Sequence, residues 1–198
     1  MKTSEAWALV GGLSKPSKMP GWAIGIPAKE CKTGSKLRLI PNSVCSECYA
    51  LKNCYMFKVV QEAQYKRLKA IAHPQWVEAM ATKIKNQKWF RWHDAGDLQS
   101  KEHMQKIIEI CKLTPDTKHW LPTQERQYLP APEDVPDNLI IRLSAAKVDG
   151  NPGHAWSHSS TVVTDGNPSC PAPTQGGQCL DCRQCWNKDI KNVSYGKH

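Results

Sequence analysis

Eight of the nine cysteines in this 198-residue chain fall into two tight groups. One group is Cys31, then Cys45-Ser-Glu-Cys48-Tyr49, then Cys54; the other is Cys170-Pro171, then Cys179-Leu-Asp-Cys182-Arg-Gln-Cys185-Trp186. A free cysteine packs as a small hydrophobe and has no reason to cluster, so the grouping asks for a chemical cause. Thiolates bind soft metals. An odd total and Cys-x-x-Cys spacing fit a disulfide framework poorly. In the second group, three cysteines recur at every third position and a fourth precedes a proline. Bacterial ferredoxin runs have the same spacing and a remote Cys-Pro, although here the remote cysteine comes first. Structural zinc more often uses two separated pairs. The pattern therefore points to a [4Fe–4S] cluster, with zinc as the alternative. The first group offers four ligands: four would saturate a cubane, and three would leave one iron open to substrate or cofactor. Cys54 is the member in question, because it begins a helical stretch and could simply pack there. One cluster drawing on both groups, two clusters, or one cluster and one zinc all satisfy the spacing.

A second constellation is His93-Asp94-Ala-Gly96-Asp97, at the end of the apolar run Trp89-Phe-Arg-Trp92. An imidazole flanked by carboxylates can do acid–base work or bind ribose and amine groups. His93, Asp97 and Asp94 are the catalytic candidates. In the bland alternative the carboxylates cap the following turn and helix while His93 sits satisfied in the wall. Other strand ends are also polar: Thr123, Gln124 and Arg126 in one place, Arg142, Ser144 and Lys147 in another, and Asp165 in a third. Gln124, Arg126, Arg142 and Tyr49 are the candidate substrate contacts. Strand alternation lets only some of them face one pocket.

The elements that must carry these residues follow from periodicity. Tyr55 to Ala72 lacks Gly and Pro and is rich in Lys, Gln, Glu and Ala, which predicts a helix. Pro74 suits the first turn of another, with Val77, Met80, Ala81 and Ile84 as its apolar face. Ser100 is an expected N-cap, ahead of a stripe of Met104, Ile107, Ile108 and Cys111, which makes Cys111 a core residue. Trp22–Pro27, Trp89–Asp94, Lys118–Leu121, Leu139–Leu143 and Thr161–Thr164 read as strands. Met1 to Pro20 reads as an arm or short first strand, Lys32 to Ser43 as a polar turn, and Asn151 to Ser160 as a polar loop. Pro130 to Pro136 reads as a loop or very short helix, and the charged tail after Trp186 as fraying. Strand–helix alternation with short links predicts an α/β fold. The chain is short for a closed eight-fold barrel of about 250 residues, so a partial (β/α) barrel or open, largely parallel sheet is expected. One domain over 1–198 is expected, with an arm at 1–20, cysteine groups at 31–54 and 170–186, and a β/α core at 55–165.

Net charge is +9, hydrophobic content is 40%, and the pI is about 9.1. That balance admits nucleic acid as a partner through phosphate neutralisation, or a solvated basic surface. No apolar run reaches membrane-spanning length, and the N-terminus has no signal-peptide core, so a cytoplasmic protein with no membrane partner is expected.

The Cys45-Ser-Glu-Cys48-Tyr49-Ala50 segment, the Arg91-Trp-His93-Asp94-Ala-Gly96-Asp97 strand end and the Cys170-to-Trp186 segment resemble the "gene product 88" proteins of tailed bacteriophages. The resemblance covers most of the chain from about Cys31 to Trp186. It implies phage origin, action in the host cytoplasm and iron–sulfur or metal binding more than any particular reaction. The chain is also distantly similar to radical S-adenosylmethionine enzymes, with a partial barrel and a cysteine group before a helix. Those enzymes place three cysteines in one short loop, usually as Cys-x3-Cys-x2-Cys. Here only Cys45 and Cys48 are close, and no glycine-rich segment for the cofactor follows them. The expected function is an iron–sulfur protein with redox or radical activity on a small or nucleotide-like substrate, with S-adenosylmethionine as an admissible cofactor. The alternative is a nucleic-acid-binding or host-interaction protein with a structural metal.

Overall fold

The computed structural model describes residues 1–153 and 155–197; His154, in the polar 151–160 loop, lies outside them. Six strands form one open sheet: β1 (Trp22–Ile24), β2 (Trp89–Trp92), β3 (Lys118–Thr123), β4 (Leu139–Ser144), β5 (Ser159–Val163) and β6 (Asn192–Gly196). Their spatial order is the chain order and every adjacent pair is parallel. Each strand is laid beside its predecessor, which is the winding of a partial barrel. All strand C-termini therefore meet at one rim.

Strand alternation gives the sheet two different faces. Phe90 and Trp92 of β2, Leu121 of β3, and Leu139 and Ile141 of β4 share a core with Trp76, Met80, Ile84, Met104, Ile107 and Ile108. These last six lie on α4 (Trp76–Ile84) and α5 (Lys101–Leu113). The opposite face carries Trp89, Arg91, Trp120 and Arg142. There Trp186, from the C-terminal segment, meets both Trp89 and Trp120, with ring centroids 5.4 and 5.3 Å away.

Ser100 caps α5 by accepting from the His103 N–H at 3.1 Å, and Met104, Ile107, Ile108 and Cys111 are all buried, as their spacing predicts. Five expectations are corrected. The supposed arm forms α1 (Thr3–Val10), whose Ala6 and Val10 are buried at helical i, i+4 spacing. The polar turn contains α2 (Lys32–Leu37). The frayed tail is β6, which pairs along its length with β5. In α4 the buried stripe is Trp76, Ala79, Met80 and Ile84, so Val77 and Ala81 fall to its flank. The helix expected from Tyr55 is α3 (Lys58–Ala70), because Phe57 is extended and Asn53–Met56 forms a 3-10 turn.

His103 and His119 are buried on the helix-covered face. Burial pushes both imidazoles down to about 3. The unfolded chain protonates them near their ordinary value while the folded one does not, so their contribution is present above about pH 6.5 and is lost as pH falls towards 3. Each should steepen the acid decline in stability by up to about 1.4 kcal/mol per pH unit. Urea titrations of His103→Phe and His119→Phe across this range should give shallower declines than the native chain; identical slopes would contradict the assignment.

Candidate metal and substrate site at the rim of the sheet

The chain leaving β1 crosses the rim and is tied down at three strand ends. Ile26 N–H donates to Ala95 O at 2.9 Å. A Cβ at Gly96 would stand 2.6 Å from the Ile26 carbonyl oxygen, and Gly96 has φ +78°, so only glycine lets the two loops approach this closely. Cys31 then precedes α2. The first N–H groups of α2, at Lys32 and Thr33, donate to Glu125 Oε1 at 3.0 and 2.7 Å, and Thr33 Oγ1 donates to Oε2 at 2.7 Å. Glu125 is fully buried just beyond β3. Its carboxylate satisfies N–H groups that a helix start leaves unpaired. Farther along, Val44 N–H donates to Ala146 O, and Val148 N–H to Asn42 O, both at 3.0 Å. The cysteine loop is thereby pinned to the chain beyond β4.

This bracing gathers three of the four N-terminal cysteines. A Cβ placed on Gly34 would lie 3.0 Å from Cys31 Cβ, 3.6 Å from Cys45 Sγ and 3.7 Å from Cys31 Sγ. Cys48 packs with Cys31 against Ala28, Ala50 and Ala95. Burial first, then the charges of Cys48 and Asp97, push the Cys45 thiol up to about 12. Burial, Asp97, Cys48 and Cys45 push Cys31 up as well. Thiols in such a place stay protonated until a cation displaces the protons. Cys54 is exposed in the 3-10 turn before α3. Among the described residues, no three His, Cys, Asp or Glu side chains are set as ligands of a single metal ion.

The carboxylate candidates hold the rim together. Asp97 Oδ1 accepts from Leu98 N–H at 2.8 Å and Thr123 Oγ1 at 2.6 Å, and Oδ2 accepts from Gln124 N–H at 2.8 Å. Burial nonetheless pushes its carboxyl up to about 7. Gln124 donates its side-chain amide to Ala145 O at 2.9 Å, joining the ends of β3 and β4. Asp94 is buried, its pKa raised by burial and held back by Arg91 and Arg67. Its Oδ1 would lie 2.3 Å from a Cβ on Gly25. His93 is buried with φ 54°, a conformation uncommon for a non-glycine residue. It packs on His103 with ring centroids 5.3 Å apart, neither ring nitrogen has a partner among the described residues, and burial holds it neutral. Tyr49 donates to Asp94 O at 2.6 Å and accepts from Arg91 at 3.3 Å. Arg126 is exposed and reaches Pro152 O at 3.4 Å.

Arg142 is not at this rim. Its guanidinium lies among backbone carbonyls of residues 184–187 and at the starts of β5 and β6. The segment that carries the C-terminal cysteines reaches the face of the sheet opposite the helices, where Trp186 donates to Phe90 O at 3.0 Å. The spacing of the residues did not single out Glu125 or Gly34. Glu125 was open to notice as the one acidic member of the polar run Thr123–Arg126.

Fold and site define an open, singly wound parallel α/β protein with a cysteine loop braced across its strand ends. The model of the gene product 88 family matches residues 2–188, and the chain belongs to that bacteriophage family. No curated protein and no solved structure matches the chain. No helix among the described residues is long and apolar enough to cross a membrane.

Glu125→Ala leaves the α2 N–H groups without an acceptor and should cost about 3 kcal/mol. It should also speed alkylation of Cys31 in the metal-free protein by more than tenfold, read by peptide mapping. Unchanged Cys31 reactivity would mean the loop is held by other contacts.

Proposed function

We propose that this chain is an iron–sulfur enzyme of redox or radical type, with Cys31, Cys45 and Cys48 holding a [4Fe–4S] cluster at the rim and a small or nucleotide-like substrate beside it. The observation that carries the reading is the convergence of three cysteines, rather than four, where parallel strands end. Three ligands leave one iron open, the arrangement by which S-adenosylmethionine could be engaged. When bound, the cluster would supply one-electron chemistry at that iron.

The chain's own residues supply the rest. Asp97, beside the thiols and with a carboxyl near neutrality, is the group suited to hold or release a proton. Tyr49 follows Cys48, and its hydroxyl is held by Asp94 and Arg91, which makes it the aromatic wall of the substrate space. Arg126 is exposed beyond β3 and free to meet an anionic group. His93 and Asp94 sit deeper and would act by positioning the β2 end. Gln124 is committed to Ala145 O and would act on substrate only through the shape of the rim.

Anaerobically reconstituted protein tests this directly. Cys45→Ala and Cys48→Ala should lose the rim iron and its sulfide, while Cys54→Ala keeps them. S-adenosylmethionine should change the electron paramagnetic resonance spectrum of the dithionite-reduced protein and be cleaved to 5′-deoxyadenosine. Full iron content in both rim variants would overturn the proposal. Rim iron without any spectral response to the cofactor would exclude the radical branch and leave redox chemistry.

A further inference from the structure

Two guanidinium groups on the face of the sheet opposite the helices form no direct ion pair among the described residues, and of the two only Arg91 has a carboxylate, that of Asp94, acting on it from farther off. Arg142 is fully buried, and all its nitrogens face backbone carbonyls. Nε donates to Cys185 O at 3.1 Å, Nη1 to Ser159 O and Lys191 O at 3.3 and 3.4 Å, and Nη2 to Gln184 O and Asn187 O at 2.9 and 3.0 Å. Arg91 lies 4.6 Å over the Trp120 ring and donates to the Tyr49 hydroxyl at 3.3 Å. Its Nε is out of solvent with no acceptor among the described residues. Carbonyl dipoles satisfy hydrogen bonds but do not cancel net charge, and an uncompensated buried charge is strongly destabilising.

What stands beside these cations is the C-terminal cysteine group. Cys185 Sγ is 3.2 Å from the Tyr195 hydroxyl, and Arg142 bonds the Cys185 carbonyl directly. The other cysteines are anchored from separate directions: Cys179 N–H donates to Lys18 O at 2.7 Å and Cys170 N–H to Ser194 O at 3.0 Å. Between Cys179 and Cys182, Leu180 holds φ 42°, a left-handed conformation costly for a branched-chain residue. It tightens the turn in which Cys182 N–H reaches Cys179 O at 2.8 Å. A metal centre held by four thiolates has a net negative charge. We infer that Cys170, Cys179, Cys182 and Cys185 form a second, tetrathiolate metal site, distinct from the Cys31, Cys45 and Cys48 set, whose charge neutralises Arg142 and which fastens the C-terminal segment to the face opposite the helices. Zinc and a [4Fe–4S] cubane share this ligand chemistry, and the four side chains, which are not set around a single ion, would close on the metal as it binds. The inference stands independently of the rim reading.

The test is thiol alkylation of the native chain, purified without oxygen and mapped residue by residue, before and after chelation. Cys170, Cys179, Cys182 and Cys185 should be protected as isolated, react at least tenfold faster once metal is removed, and regain protection on adding either zinc alone or iron with sulfide. Whichever addition works identifies the metal. Equal reactivity of these four before and after chelation would overturn the site, whatever Cys31, Cys45 and Cys48 do. Arg142→Met, checked for native circular dichroism, should release the metal to a chelator at least tenfold faster. A folded variant with an unchanged release rate would overturn the counter-ion role.

Discussion

The buried carboxylate of Glu125 is the contact on which the rim depends. It accepts from two backbone N–H groups and a hydroxyl at the start of α2, and from Gln127 Nε2 at 2.6 Å. A six-residue helix is far too short to be stable alone, so a partner 92 residues away in sequence decides that α2 exists. Once α2 is fixed, Cys31 is fixed before it, and Gly34 leaves the space over which the Cys31 and Cys45 thiols converge. Asp97 and Gln124 repeat the device, joining β2 to β3 and β3 to β4 with a buried side chain spent on backbone. The rim is thus assembled from loops that are braced to one another rather than from free polar side chains.

The two sides of the sheet do different work. Helices α4 and α5 cover one face with an apolar core, and the short helix α1 packs against α4. The opposite face meets the 3-10 turn Gln184–Trp186 rather than these α-helices. It is filled by the C-terminal segment, with Trp186 between Trp89 and Trp120 and Arg142 gripping the carbonyls on either side. Placing β6 after that segment closes it between two sheet-bound ends.

Where a residue's role depends on its own helix or strand, the sequence revealed it. The α5 stripe, its Ser100 cap, five of the six strands and the parallel α/β class were all legible from periodicity and capping. Elements defined by distant contacts were not. α1 has two buried positions, too few for a period to register. α2 is polar and exists through Glu125. β6 follows a cysteine-rich loop and shows little alternation, with only Val193 fully buried. At the site, the cysteine groups were visible in the spacing, but the exposure of Cys54 and the placing of Arg142 among the carbonyls of the C-terminal segment depend on where loops land in space. Asp97 was visible as a carboxylate after a strand; that both its oxygens are occupied by β3 was not.

The central claim is that the clustered thiols exist to hold iron with sulfide. Iron, acid-labile sulfide and zinc measured per chain, on protein purified without oxygen from iron-supplemented cells, test it most directly. The account predicts iron and sulfide in near-equal amounts, about four of each for a single rim cluster, with any zinc confined to the C-terminal four cysteines. A chain that carries zinc alone, or no metal, would contradict it.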